Sequence, residues 1–122
     1  MAANLPVVDT TVAGVNPSTG RTTAVTTGGG LSFENDGDVL LEVVASGAVV
    51  VTVVTPGSVE GQAIGDVSSG TLAASDRRIM GPFKPSVFNH SEANADATLA
   101  GKTQVTFDTI NATVKAYRVR KF

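Results

Sequence analysis

The sequence predicts an all-β protein: a single antiparallel β-sandwich, jelly-roll-like or Greek-key, preceded by an extended N-terminal arm. Three observations carry this expectation. The block Leu31 to Val54, LSFENDGDVLLEVVASGAVVVTVV, is dense in β-branched and aliphatic residues and is broken only at Asn35-Asp36-Gly37-Asp38 and Ser46-Gly47. Turn residues then recur every several positions, at Pro56-Gly57, Gly65-Asp66, Ser69-Gly70 and Gly81-Pro82. No stretch of ordinary helix length carries an apolar stripe at helical spacing.

Taken in chain order, residues 1–30 are rich in Thr, Ala, Val, Ser and Pro and poor in bulky side chains. Such a segment buries little by itself, and it is expected to be an extended arm. Gly28-Gly29-Gly30 is either a flexible joint between arm and body or a glycine-rich turn inside the domain. Residues 31–122 form the sandwich domain. Within it Val39, Leu41 and Val43 alternate with Leu40, Glu42 and Val44, and Val49, Val51 and Val53 alternate with Val50, Thr52 and Val54. One face of each strand is therefore continuously apolar. The other face is only half polar, which a second packed sheet would explain. Near the C-terminus, Thr103, Val105 and Phe107 share one side of a strand, and Ile110, Ala112, Val114 and Ala116 share one side of the next, with Asp108-Thr109 as a tight hairpin turn between them. Beyond Ala116 the pattern ends in Arg118, Val119, Arg120, Lys121 and Phe122, a basic tail expected to face solvent or a partner. The polar tract Glu92 to Leu99 has the composition of one short helical turn and equally of a loop tip.

At 122 residues the chain is the size of one domain. Its net charge of -2, with 16% charged residues, lacks the basic excess of a nucleic-acid-binding domain. Without cysteine it has no disulfide framework and no thiolate metal site. The opening residues lack the basic and continuously apolar regions of a secretory signal. No apolar run approaches the roughly 20 residues of a membrane-spanning helix. The expectation is a soluble protein or a component of a soluble assembly, with neither nucleic acid nor membrane as partner.

The sequence is poorly equipped for catalysis. His90 is its one histidine, and it stands in the polar, loop-like segment Asn89-His90-Ser91-Glu92 without a nucleophile elbow elsewhere. It is expected to be an exposed loop residue. Glu34, Asp36 and Asp38 surround Gly37 and are a conceivable cation cradle. A hairpin turn that needs a positive backbone angle at the glycine explains the same pattern without a metal. A glycosidase pair would need aromatic sugar platforms, yet Trp is absent and Tyr117 is the only tyrosine. The glycine triplet leads into a strand, not into the Lys-Ser/Thr and helix of a phosphate loop. No catalytic residue, cofactor or metal is expected.

What remains are candidates for partner contact. Leu5, Val7 and Val8 form an apolar patch in the arm that either adds to a neighbour's sheet or groove or docks locally. Arg21 is the arm's basic residue. Arg77 and Arg78 precede the apolar Ile79-Met80 and either reach acidic groups on a neighbouring chain or solvate a strand start. Arg118, Arg120, Lys121 and Phe122 complete the set.

Four segments together resemble a known family. They are Phe33-Glu34-Asn35-Asp36-Gly37-Asp38-Val39-Leu40-Leu41, the Val/Thr run from Val50 into the Thr55-Pro56-Gly57 turn, the element Gly81-Pro82-Phe83-Lys84-Pro85-Ser86-Val87-Phe88-Asn89, and the closing Val105 to Val119. This pattern resembles small head decoration, or cement, proteins encoded beside the major capsid gene of tailed bacteriophages. The resemblance spans about Leu31 to Val119. It implies a β-sandwich on the outer surface of the virion that binds the major capsid protein and stabilises the shell by bridging its subunits, as a homo-oligomer, here expected to be a trimer, at a local symmetry axis. The family's motifs are structural, so no contact residue is carried over from it. The longer loop from His90 to Gly101 and the basic tail depart from the family pattern. The alternative is a non-catalytic β-sandwich binding module for carbohydrate or host-surface adhesion. On either view the arm is expected to be separable from the folded body.

Overall fold

The computed structural model describes residues 2–11, 13–56, 58–59, 62–63, 65–90 and 99–119. Its strands are β1 (Ala3–Asn4), β2 (Val7–Asp9), β3 (Thr22–Thr23), β4 (Leu31–Glu34), β5 (Val39–Ala45), β6 (Val49–Val53), β7 (Ser58–Val59), β8 (Gln62–Ala63), β9 (Val67–Leu72), β10 (Arg77–Met80), β11 (Lys102–Phe107) and β12 (Ala112–Arg118). A single helical turn, α1, spans Pro85–Phe88. The first sheet has the order β1-β4-β11-β6-β9. The second has the order β10-β5-β12-β2, with β3 also paired to β12, and β7 and β8 form a separate small pair. The all-β sandwich expected from the sequence is the architecture found.

The alternation in the sequence sets which side chains meet. In β5, Val39, Leu41, Val43 and Ala45 are buried while Leu40, Glu42 and Val44 are half-buried on the outer face. In β6, Val49, Val51 and Val53 are fully buried, and in β11 Thr103, Val105 and Phe107 point inward. These join Leu31, Phe33, Leu72, Val114 and Ala116 in one core between the sheets. Each buried Val or Leu contributes about 1.5–3 kcal/mol relative to exposure. Ile110, expected on the inward face with Ala112, lies ahead of the strand and is exposed.

Several connections differ from the hairpins that the turn residues predict. β4 and β6 belong to the first sheet and β5 to the second, so Asn35–Asp38 and Ser46–Ala48 carry the chain from sheet to sheet. Asp108–Asn111 likewise links β11 in the first sheet to β12 in the second. Period-two patterning fixes which face is buried, and both arrangements bury the same face. Side chains shape these crossings. Asn35 Oδ1 accepts the Gly37 N–H at 3.0 Å, Asp36 Oδ1 accepts the Asp38 N–H at 3.1 Å, and Gly37 adopts the positive φ of 99° that the sequence anticipates. At the other crossing Asp108 Oδ1 accepts the Val50 N–H at 2.7 Å, and Thr109 Oγ1 donates to the Ala48 carbonyl at 3.0 Å.

The N-terminal 30 residues are woven into the fold and do not stand away from it as a free arm. β1 pairs in parallel with β4, β2 pairs in parallel with β12, and β3 pairs antiparallel to β12. The antiparallel body is thereby edged by two parallel pairs. Leu5 is 2% exposed and Ala24 3%, both inside the core. Gly28-Gly29-Gly30 is a packed turn and not a joint. A Cβ on Gly30, whose φ is +78°, would stand 2.3 Å from the Val105 carbonyl oxygen, so the first sheet leaves no room for any other residue there.

The element Gly81 to Asn89 also closes onto the core. Phe83 packs at a tilt of 56° against Phe33 at 5.8 Å and edge-on to Phe88 at 5.3 Å between ring centroids. Asn35 Nδ2 donates to the Phe83 carbonyl at 3.0 Å, to Asn89 Oδ1 at 3.1 Å and to Thr103 Oγ1 at 3.2 Å, while Asn89 Nδ2 donates back to the Asn35 carbonyl at 2.9 Å. One buried knot thus ties the β4–β5 crossing to α1 and β11. No helix among the described residues is long and apolar enough to cross a membrane.

Candidate functional site

The outer face of the second sheet carries the most distinctive surface. Leu40, Glu42 and Val44 project from β5, Tyr117 and Val119 from β12 and just beyond it, and Ile79 from β10. Part of this face is covered by the loop between β2 and β3, and Arg21 holds that loop down. Its Nη1 lies 2.6 Å from Glu42 Oε1, its Nε donates to Thr113 Oγ1 at 2.9 Å, and its Nη2 donates to the Thr113 carbonyl at 2.8 Å. The same Nη1 reaches the Pro17 carbonyl at 2.9 Å. Lys115 is 5% exposed, with Nζ donating to the carbonyls of Asn16 at 2.8 Å and Thr19 at 2.7 Å and lying 5.4 Å from the Tyr117 ring centroid.

Where the loop stops short of β10, a groove of about 260 Å³ remains, lined by Val15, Pro17, Leu40, Ile79, Tyr117 and Val119, with Glu42 at its floor. Ile79 is 68% exposed and Val119 44%, far more than an apolar side chain needs to be on a fold with this much core. Burial against this face, reinforced by the nearby Glu42 charge, raises the Tyr117 phenol above its ordinary value of 10.0. The lining offers apolar contact, one neutral phenol and one carboxylate already committed to Arg21. That composition suits recognition of a partner's surface.

The contact candidates from the sequence separate sharply. Leu5 is enclosed by its own chain, and Val7 and Val8 are half-buried in β2 against β12. The apolar patch of the arm thus serves the protein's own second sheet, the local docking that the sequence left open. Arg21 is spent on Glu42 and Thr113. Arg118 does not project freely as the basic tail suggests. Its guanidinium pairs with Asp9 at 3.1 Å and Asp36 at 2.8 Å, and these partners raise its affinity for the proton, the hydrogen bond from Asp9 first. Lys115, three residues before Arg118, is buried as well. Arg120, Lys121 and Phe122 lie outside the described residues. Arg77 and Arg78 remain exposed on β10.

Asp36 is held below the usual carboxylate value, chiefly by the Asp38 N–H and secondarily by Arg118. It is a turn residue and ion-pair partner. Among the described residues no three His, Cys, Asp or Glu side chains are grouped to share a cation. His90 is 8% exposed and not a surface loop residue, because its backbone bridges to Ala100 and its N–H donates to the Lys102 carbonyl at 2.8 Å. The sequence missed Leu40, Tyr117, Val119 and Pro17 as one surface. Ile79 following two arginines was the one visible sign, since it shares its face of the strand with Arg77 and that face is therefore not a purely apolar one.

The fold and this face define a small β-sandwich in which β10, an edge strand among the described residues, lies beside an apolar groove. No family model, curated protein or solved structure matches the chain.

Proposed function

We propose that the protein is a structural component of a tailed-phage virion, binding the outside of the icosahedral capsid and stabilising it by bridging major capsid protein subunits. It acts as a homo-oligomer at a local symmetry axis and without catalysis. The observation that carries this proposal is the convergence of the family-like segments. Asn35 comes from the Asn-Asp-Gly element, Phe83 and Asn89 from the Gly-Pro-Phe element, and Thr103 from the strand entering the closing segment. All four meet in one hydrogen-bonded knot. Two stretches that resemble the decoration family, Phe33 to Leu41 and Gly81 to Asn89, are therefore joined to each other and to the strand that leads into a third.

The physics of the role suits this body. A protein that binds only the assembled shell stabilises it by mass action, by an amount that grows with the logarithm of its free concentration relative to its dissociation constant. Symmetry-related attachments turn modest contacts into high avidity. A rigid sandwich with an exposed apolar groove supplies such a contact at low ordering cost.

The test is co-sedimentation with shells assembled from a major capsid protein, chosen as one whose gene is found next to the gene for this chain. Saturable binding at a fixed ratio to capsid subunits, together with a raised disassembly temperature of the decorated shells, supports the proposal. Absence of binding to intact shells, with specific retention on a glycan array, would instead establish the adhesion module.

A further inference from the structure

We propose that β10 is a docking edge for an extended acidic segment of a partner protein, which adds to the second sheet as an extra antiparallel strand and sets an apolar side chain in the adjoining groove. The inference is independent of the capsid proposal, since an adhesion module would present the same edge.

The hydrogen-bond phase of the sheet shows which backbone groups are free. The Ala45 N–H donates to the Asp76 carbonyl at 2.9 Å and the Ala45 carbonyl accepts the Ser75 N–H at 2.8 Å, a bulge at Ser75, whose φ is 72°, that leaves both polar groups of Ala45 bonded toward the β10 side at the start of the ladder. Alternation then gives Arg78 with Val43 and Met80 with Leu41 as the next hydrogen-bonded pairs. The far side of β5 agrees, because Ser46 donates to Asn111 and Val119 to Asp38 on the β12 side, which assigns the even-numbered β5 residues to β12. The N–H and C=O groups of Arg77 and Ile79 therefore point away from β5, to a side of β10 on which no strand pairs among the described residues.

The side chains at that edge select the occupant. Natural sheets guard an open edge with charge, and two arginines alone would fit that purpose. Ile79 does not, for it stands between them and Met80 at 68% exposure and forms one wall of the groove. Arg77 and Arg78 are uncompensated, since the ion pairs among the described residues engage only Arg21 and Arg118. A second copy added through β10 would crowd four arginines along one short ladder, and like charges opposite one another destabilise such pairing. An incoming strand with carboxylates opposite Arg77 and Arg78 gains where a second copy loses. β9, the free edge of the first sheet, offers only Ser68, Ser69 and Gly70 in its middle and nothing that selects a partner.

The probe is an acetylated and amidated peptide of about ten residues, long enough to lie along a strand, in which Val and Thr residues are followed by two adjacent glutamates, so that one carboxylate lies on the face of Arg77, the other on that of Arg78, and an apolar residue falls opposite Ile79. The same peptide with Lys for Glu is the control. Residue-resolved amide exchange on the full chain is expected to slow about tenfold or more at Arg77 and Ile79 with the acidic peptide, leaving Arg78 and Met80 unchanged because β5 already protects them. The lysine peptide should leave all four unchanged. Substituting Arg77→Glu together with Arg78→Glu should exchange the two peptides' behaviour. Ile79→Pro removes an outward N–H that β5 does not use, so it should abolish binding while the melting temperature is retained. If Ile79→Pro lowers that temperature, the charge exchange alone decides. No protection at Arg77 and Ile79, equal binding of both peptides, or self-association of the free chain through β10 overturns the proposal.

Discussion

Arg21 and Glu42, 21 positions apart in sequence, form an ion pair whose side chains are only 12% and 13% exposed, lying flat on the outer face of the second sheet. The guanidinium also spans Pro17 and Thr113, so one side chain fastens the β2–β3 loop to both β5 and β12. Arg21→Ala strips Glu42 of its partner and leaves a largely desolvated carboxylate. Such losses cost about 3–5 kcal/mol when a buried pair is broken. A fall of about 3 kcal/mol in chemical denaturation is expected here. The double substitution Arg21→Met with Glu42→Met should recover more than half of that loss, because the unpaired charge is gone.

Gly30→Ala is expected to destabilise by at least about 2 kcal/mol, combining the strain of an L-residue at positive φ with displacement of the Val105 carbonyl. Gly65→Ala, where an added Cβ meets open space, is the matched control and should change stability by less than about 0.5 kcal/mol. Paired thermal melts check both.

Tyr117 is the chain's only tyrosine and there is no tryptophan, so phenolate absorbance reports on this residue alone. Burial holds its native value above 10.0, and the folded state therefore keeps the proton more tightly than the unfolded state does. The associated stability is complete below pH 10 and declines as the pH rises through the folded value. A spectrophotometric titration should show a midpoint above 10.0 in native protein and near it in denaturant. A native midpoint at or below the denatured one would contradict the burial of this face.

Much of the body was legible because period-two alternation reports burial directly. Val39, Leu41 and Val43, then Val49, Val51 and Val53, face inward as their spacing requires. The same alternation is silent about which sheet a strand joins, so the crossings at Asp36-Gly37 and Asp108-Thr109 read as hairpins. The N-terminal segment was misleading for another reason. Its strands are two or three residues long and are stabilised by partners more than 20 positions away, β4 for Ala3 and β12 for Val7 and Thr22. Local composition records none of that. Charge was the least legible feature, since Arg21, Lys115 and Arg118 look like surface residues in sequence and are each consumed by contacts distant along the chain. Arg77 and Arg78, on a strand with one neighbour, kept the exposure that the sequence suggests.

Removing the residues before Gly28 is therefore expected to do more than detach a dispensable arm. The truncation takes Leu5 and Ala24 from the core, the first worth about 1.5–3 kcal/mol on its own. It deprives β12 of both β2 and β3, making a central strand into an edge. It also leaves Glu42 without Arg21 and the Lys115 ammonium without the carbonyls of Asn16 and Thr19. Domains of this size are held by about 5–15 kcal/mol in total. The sum of these losses reaches that range, so the truncated chain should lack a cooperative thermal transition and lose slow-exchanging amides in β5 and β12. A sharp melt within a few degrees of the full chain would show instead that residues 31–119 are self-sufficient and that the N-terminal strands only decorate them.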